Sequence, residues 1–423
     1  MIRAYRICLG RFARSLLLAL AGTAMATAAM ADIELIGVTE ASGGGAAAGT
    51  SFKNGYLMAI DEINATGGVL GQKLVLKQID IETHADAAKA AVGKAVEAKP
   101  FAILGPVFSG LTAASSPLTA PGKIPQFTGG EAASLTRNFH PSLLRTSLSQ
   151  LGSAPRMGAL ITYGLNTKKV GLIWIENEFG KDGRAALLDA IKRRGGTVVF
   201  DQAMKPGQKN PIEIAEGLKK SDAEALMLYV NENEAVEMLK ALKEAGFTKP
   251  IVSDGLVAAQ KVLDGAGPAA EGVYAHMNAS IAAPSSAVQS FVARYQARYA
   301  AKPDQNSMKG FIAINVLKAG IEMGGKVDQE LFLKTIKDKR LESKTYPDLL
   351  TNINYDFFGD INRESFYVLI RGGAPHIVAS IPGAEGGAVR LTDGRLITLN
   401  STEFRSALRE PVNLALNKLP AKK

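Results

Sequence analysis

Ile33-Glu34-Leu35-Ile36-Gly37-Val38, a glycine-rich loop, Phe52, Tyr56, Ile60 and Ile63 at helical spacing, Gly67-Gly68, and then Leu74-Val75-Leu76: this stretch decides the fold. A short apolar run reads as a buried strand, apolar residues three or four apart as a helix facing a core, and paired glycines as its stop. Residues 85–98 then read as a helix and Phe101-Ala102-Ile103-Leu104 as a third strand. Strands alternating with helices of this length predict a parallel sheet covered on both faces, an α/β fold.

The pattern restarts after about residue 150, with strands at 170–175, 197–200, 225–230 and 251–253 and helices at 182–194, 212–219 and 232–245. There is an internal echo: residues 60–68 and 188–196 share apolar-Asp-x-Ile-x-x-x-Gly-Gly, each after a strand and before another. Either duplication or the ordinary glycine stop of a helix accounts for it. Both imply two similar lobes. Helices at 287–299 and 309–322 and strand-like segments at 352–355 and 366–370 follow. The glycine-rich stretch beyond about 382 has no role readable from its residues.

At 423 residues the chain suggests two to three domains, at roughly 100 to 200 residues each. Its hydrophobic content of 47% supplies ample core. One cysteine, Cys8, and four histidines assemble neither a disulfide framework nor a Cys/His zinc site, so no metal and no cofactor is expected. Arg3, Arg6, Arg11 and Arg14 precede the apolar run 16–21 and then Ala29-Met30-Ala31, the parts of a cleavable secretory signal. Cleavage after Ala31 removes four arginines, no acidic residue and the only cysteine, taking the net charge from +9 to +5. That mild charge is spread along the chain, so no nucleic-acid partner is expected.

Gly43, Gly45 and Gly49 follow the first strand, but G-x-G-x-x-x-G is one residue longer than the dinucleotide fingerprint. The loop reads either as a set of backbone N–H groups turned to a small anion or as a plain connection. Ser109 follows the third strand directly, where ligands of open parallel sheets bind. G-x-S-x-G is absent and no histidine is marked as a base, so Ser109 reads as a binding group or as the N-cap of a helix starting near Thr112. Asp254 ends the strand 251–253 and suits an ammonium group, although an Asx-turn is the preferred reading on local grounds. Glu131, in Thr128-Gly129-Gly130-Glu131-Ala132, is a similar case. No pair of carboxylates and no Ser/His/Asp set stands out, which argues against an enzyme and leaves an exported dehydrogenase- or hydrolase-type α/β protein as the rival.

The residues Gly55 to Asn64 with Gly67 to Leu74, Ile103 to Gly110, Phe179-Gly180-Lys181-Asp182-Gly183, and Leu242 to Phe247 leading to Ser253-Asp254-Gly255 resemble the periplasmic solute-binding proteins of branched-chain amino-acid ABC transporters. The resemblance covers about 32–380. It implies the type I periplasmic binding protein fold, two doubly wound α/β lobes joined by three crossover strands near 145–147, 275–279 and 352–355. The implied boundaries are a signal peptide at 1–31, a first lobe from 32–146 and 280–352, a second from 147–279 and 353–382, and an extension at 383–423. By position, Ser109 would hold a ligand α-carboxylate and Asp254 its ammonium, with Phe108, Gly130, Glu131 and Ala132 beside them. Ala48, Phe179, Asn231 and Phe311 stand where the family often has tyrosine. The implied protein is a periplasmic monomer that captures an amino acid, aliphatic or branched-chain, and delivers it to an inner-membrane permease; an amide, urea or an aromatic carboxylic acid are the alternatives.

Overall fold

The computed structural model describes residues 31–137, 140–383 and 387–408; the expected signal peptide lies almost wholly outside these. The first sheet takes β1 (Ile33–Thr39), α1 (Ala46–Ala65), β2 (Leu74–Asp80), α2 (Ala85–Glu97), β3 (Ala102–Leu104), α3 (Ser109–Ser115), β4 (Gln126–Thr128), α4 (Ser134–Arg137) and β5 (Leu143–Arg145). Its five strands run parallel in the order β2-β1-β3-β4-β5. The near-continuous burial of β1 is that of a strand covered on both faces.

The chain then crosses to a second unit: α5 (Gln150–Ala159), β6 (Lys169–Ile175), α6 (Glu178–Lys192), β7 (Thr197–Met204), α7 (Ile212–Lys220), β8 (Ala225–Tyr229), α8 (Glu232–Glu244), β9 (Ile251–Asp254), α9 (Gln260–Ala266) and β10 (Tyr274–Met277). These strands lie in the order β7-β6-β8-β9-β10, the same winding as the first sheet. The echoed helices α1 and α6 each follow the first strand of their sheet, and they close alike. Gly68 N donates to Ile63 O at 2.9 Å, and Gly196 N to Ile191 O at 3.0 Å.

The chain returns through α10 (Ser286–Tyr299), α11 (Gln305–Gly324) and α12 (Gln329–Asp338) to pack on the first sheet. A Cβ on Gly55 would lie 1.9 Å from Ser307 O, and one on Gly310 2.0 Å from Phe52 O. Only glycine allows α1 and α11 to touch backbone to backbone, and that contact fixes Lys309, the residue before Gly310. The hairpin β11 (Asn354–Tyr355) and β12 (Ile361–Asn362) comes next, and then β13 (Ser365–Arg371), β14 (Ala374–Ile381), β15 (Ala388–Leu391) and β16 (Leu396–Thr398) extend the second sheet antiparallel from β10.

Several expectations change. The third crossing falls at 363–364 instead of 352–355, because the β11–β12 hairpin stays with the first lobe: Arg145 N donates to Gly359 O at 3.0 Å and Tyr355 Oη to Arg145 O at 2.8 Å. Residues 388–391 and 396–398 are strands of the second sheet, and Phe404 and Leu408 after them are buried, Phe404 with its ring 5.6 Å from that of Tyr367 on β13. The helix expected at 309–322 starts at Gln305, where Asp304 and Ser307 form a capping box.

Candidate functional site

The crevices beyond β1 and β3 in one sheet and β6 and β8 in the other are topological switch points, where open α/β sheets leave room for ligands. They share a cavity of about 370 Å³. From the first lobe its wall takes Ala48, Phe108, Ser109, Gly130, Glu131 and Lys309. Phe179, Asn231, Glu232, Asn233, Glu234 and Leu256 come from the second. The structure thus brings most of the sequence-predicted site residues to one space. It does not bring Ala132, Asp254 or Phe311 to that wall.

Ser109 is the first residue of α3, and Phe108 occupies the cap position, so Ser109 is not the helix cap. Its Oγ instead accepts from Glu131 N and Ala132 N, each at 3.1 Å. A hydroxyl has two acceptor lone pairs and one proton. Both acceptor sites are filled by the 131–132 backbone, which leaves the proton for an acceptor in the cavity. Ahead of it, the buried Glu40 carboxylate accepts from Val107 N and Phe108 N at 3.0 and 3.1 Å and holds this loop against β1. Burial raises the Glu40 carboxyl to about 7, although both N–H groups pull the other way.

Three N–H groups in and just before the glycine-rich loop are engaged within the protein. Asp80 Oδ1 accepts from Ala41 N and Ser42 N, and Thr83 Oγ1 accepts from Gly45 N at 3.0 Å. Its contribution is to let Gly44 and Gly45 line the cavity without side chains.

Glu131 and Lys309 form a buried ion pair. Lys309 Nζ lies 3.0 Å from Glu131 Oε1 and 3.4 Å from Gly129 O, and Asn278 Nδ2 donates to the same Glu131 oxygen at 2.8 Å. Arg145, fully buried, gives NH1 to Gly130 O and NH2 to Ala132 O, both at 2.6 Å, so the loop carrying Glu131 is held from behind. Sequence reading missed both cations. Lys309 had one signal, a lone charge leading into the apolar run Phe311 to Ile314. Arg145 had none.

Asp254 ends β9 as expected and is buried beside the cavity. Its Oδ2 finds no hydrogen-bond partner among the described residues. Burial, and then the charge of Glu131, push its carboxyl well above the usual carboxylate range, against the pull of Lys309. Phe311 faces away into the packing of α10 on α11, 4.8 Å from the Phe291 ring. Ala132 is fully buried and serves through its backbone.

On the second lobe, Phe179 stacks on Tyr229 at 4.4 Å between ring centroids and lines the cavity, as Phe108 does from the first lobe. Gln150 ties this wall to the first lobe: its Nε2 donates to Phe179 O at 2.8 Å and Tyr229 Oη at 2.9 Å, while its Oε1 accepts from Ala133 N at 3.2 Å. The lobes also touch around the cavity. Ser134 N donates to Asp182 Oδ2 at 2.8 Å, Asn233 Nδ2 to Gly44 O at 3.4 Å, and Asn306 Nδ2 to Glu232 Oε1 at 3.4 Å. Burial, with Asp304 adding to it, raises Glu232 to about 7. Among the described residues no group of three or more His, Cys, Asp or Glu side chains could hold a metal ion.

Residues 35–360 match the family described as periplasmic binding protein, and the chain belongs to that family, whose members are the substrate-binding proteins of ABC transporters. It is 26% identical over 363 residues to the Leu/Ile/Val-binding protein BraC3 of Rhizobium johnstonii, covering 85% of this chain and 97% of that one. Its fold is similar to the leucine-binding protein LivK of Thermotoga maritima, with a TM-score of 0.75 at 20% identity over 83% of this chain and 99% of the other. It is also similar to a Rhodopseudomonas palustris solute-binding protein in complex with benzoate, at TM-score 0.74, 18% identity, and coverage of 84% and 97%. The fold is that of type I periplasmic binding proteins.

Proposed function

We propose that this chain is the exported substrate-binding component of an ABC importer, a periplasmic monomer that captures a small organic carboxylate between its lobes and hands it, chemically unchanged, to an inner-membrane permease. The observation that carries this reading is Ser109, whose two acceptor sites are filled and whose proton is left at the wall of a cavity shared by both lobes. Contacts such as Ser134 to Asp182 form only when the lobes meet, so a ligand touching both lobes shifts the population toward the closed state. The Leu/Ile/Val-binding relatives support an amino acid as ligand. Phe108 from one lobe and Phe179, stacked on Tyr229, from the other, together with the benzoate complex of a structural relative, support an aromatic carboxylate. Mass spectrometry of the molecule retained through native purification tests the reading, with small-angle scattering before and after its removal. A retained carboxylate and a smaller radius in its presence are the expected results; turnover of that molecule, or an unchanged radius, contradicts them.

A further inference from the structure

The protein carries its own ammonium group at the head of the cavity. Lys309 Nζ is held between Glu131 Oε1 and Gly129 O, and both Glu131 and Asp254 feel its charge. It reaches this place because Gly310 and Gly55 bring α11 onto α1. Resting on the carboxylate-binding reading above, we infer that the ligand of this cleft is a carboxylate without an α-ammonium group, its head held by the Ser109 hydroxyl and by Lys309.

The argument is one of charge and space. An ammonium has three donors, and Glu131 and Gly129 take two of those on Lys309, which leaves one for the cavity. A carboxylate beside Ser109 meets that donor and gains a charge-assisted hydrogen bond. An α-amino acid would bring a second ammonium, one carbon from its carboxylate, to the end of the cavity where Lys309 already neutralises Glu131. Two like charges at such range in a buried site repel. Asp254, the expected partner for that second ammonium, is off the cavity wall and already within the influence of Lys309. Glu232 and Glu234, on the second-lobe wall, already accept hydrogen bonds, Glu232 from Asn306 Nδ2 across the cleft at 3.4 Å and Glu234 from Gly207 N at 2.8 Å. The body of the ligand lies against Phe108, Phe179 and Leu256, which suits an apolar or aromatic skeleton.

Isothermal titration of the full-length protein with matched pairs tests this: leucine against 4-methylpentanoate, and tyrosine against 3-(4-hydroxyphenyl)propanoate. In whichever pair binds, the molecule lacking the ammonium is expected to bind at least about tenfold tighter, equivalent to about 1.4 kcal/mol. Lys309→Met should lose more than about tenfold on the carboxylate and reverse the preference, since the amino acid's own ammonium then fits beside Glu131. Because that variant leaves Glu131 buried and unpaired, Lys309→Met with Glu131→Gln is measured alongside it, and its preference should fall within about threefold of equal. Tighter or equal binding of the amino acid by the parent overturns the inference while leaving the cleft reading intact. So does undiminished carboxylate binding by the double variant. Failure of all four molecules to bind overturns the cleft reading itself, and the inference with it.

Discussion

Arg145 donates its Nε to Asp360 Oδ1 at 2.5 Å, across 215 positions of sequence, while its other nitrogens hold the carbonyls of Gly130 and Ala132. A single buried guanidinium therefore joins the β11–β12 hairpin to the loop that carries Glu131. Breaking a buried pair strands a charge, at a cost of about 3–5 kcal/mol. Arg145→Met should lower the thermal midpoint sharply in the absence of any ligand. A midpoint within a degree or two of the parent would show that the pair does not support the fold.

Ser109→Ala should destabilise the ligand-free protein as well as weaken binding. It removes the acceptor of two buried N–H groups, and each unsatisfied donor costs about 1–3 kcal/mol. Denaturant unfolding without ligand measures the first effect and titration the second.

The pH dependence of stability carries the mark of Glu40. Its carboxyl sits at about 7 in the fold against 4.5 unfolded, so between these values the native state binds more protons and stability falls as pH rises. The loss is of order 3 kcal/mol. Glu232 acts with the same sign, whereas His276, held well below its ordinary range by burial and then by Arg156, acts with the opposite one. The measurement is thus a difference: Glu40→Gln should unfold with a flatter profile between about pH 4.5 and 7 than the parent. Parallel profiles would remove Glu40 from the account.

Asp182→Ala tests closure. Its Oδ2 accepts from Ser134 N across the cleft, and Asp182 itself is not part of the cavity wall. Losing one such bond costs about 0.5–1.5 kcal/mol. Ligand affinity should fall by about two- to tenfold through faster release, with ligand-free stability unchanged. Unaltered release kinetics in a stopped-flow chase would mean that this contact does not hold the lobes together.

The two lobes were legible because their strands are continuous apolar runs and their helices end at glycine pairs, as in Ile60 to Gly68 and Leu188 to Gly196. Ser109 was legible because it follows β3 directly. Lys309 was missed for a local reason: without the Asp304–Ser307 capping box in view, it read as the start of a helix, where a lysine is ordinarily solvated. Phe311 was expected at the site because it stands where the resembled family often has tyrosine, yet residues two apart on a helix point about 200° from each other, so it lies on the face away from Lys309. Arg145 and β15–β16 depend on partners distant in sequence, and no local pattern reports such pairings.

Because the chain passes between the sheets three times, neither lobe is a contiguous piece of sequence. Arg145 meets Asp360, α1 meets α11 and β10 meets β13 only when most of the polypeptide is present. Contacts so widely separated form slowly, since loop-closure entropy is lost before they reward it. A chain emerging from the ribosome therefore cannot finish either lobe until α11, the β11–β12 hairpin and β13 have been made. For a polypeptide proposed to cross a membrane before it folds, this lateness is useful: it keeps the chain in the extended state that a translocation channel accepts.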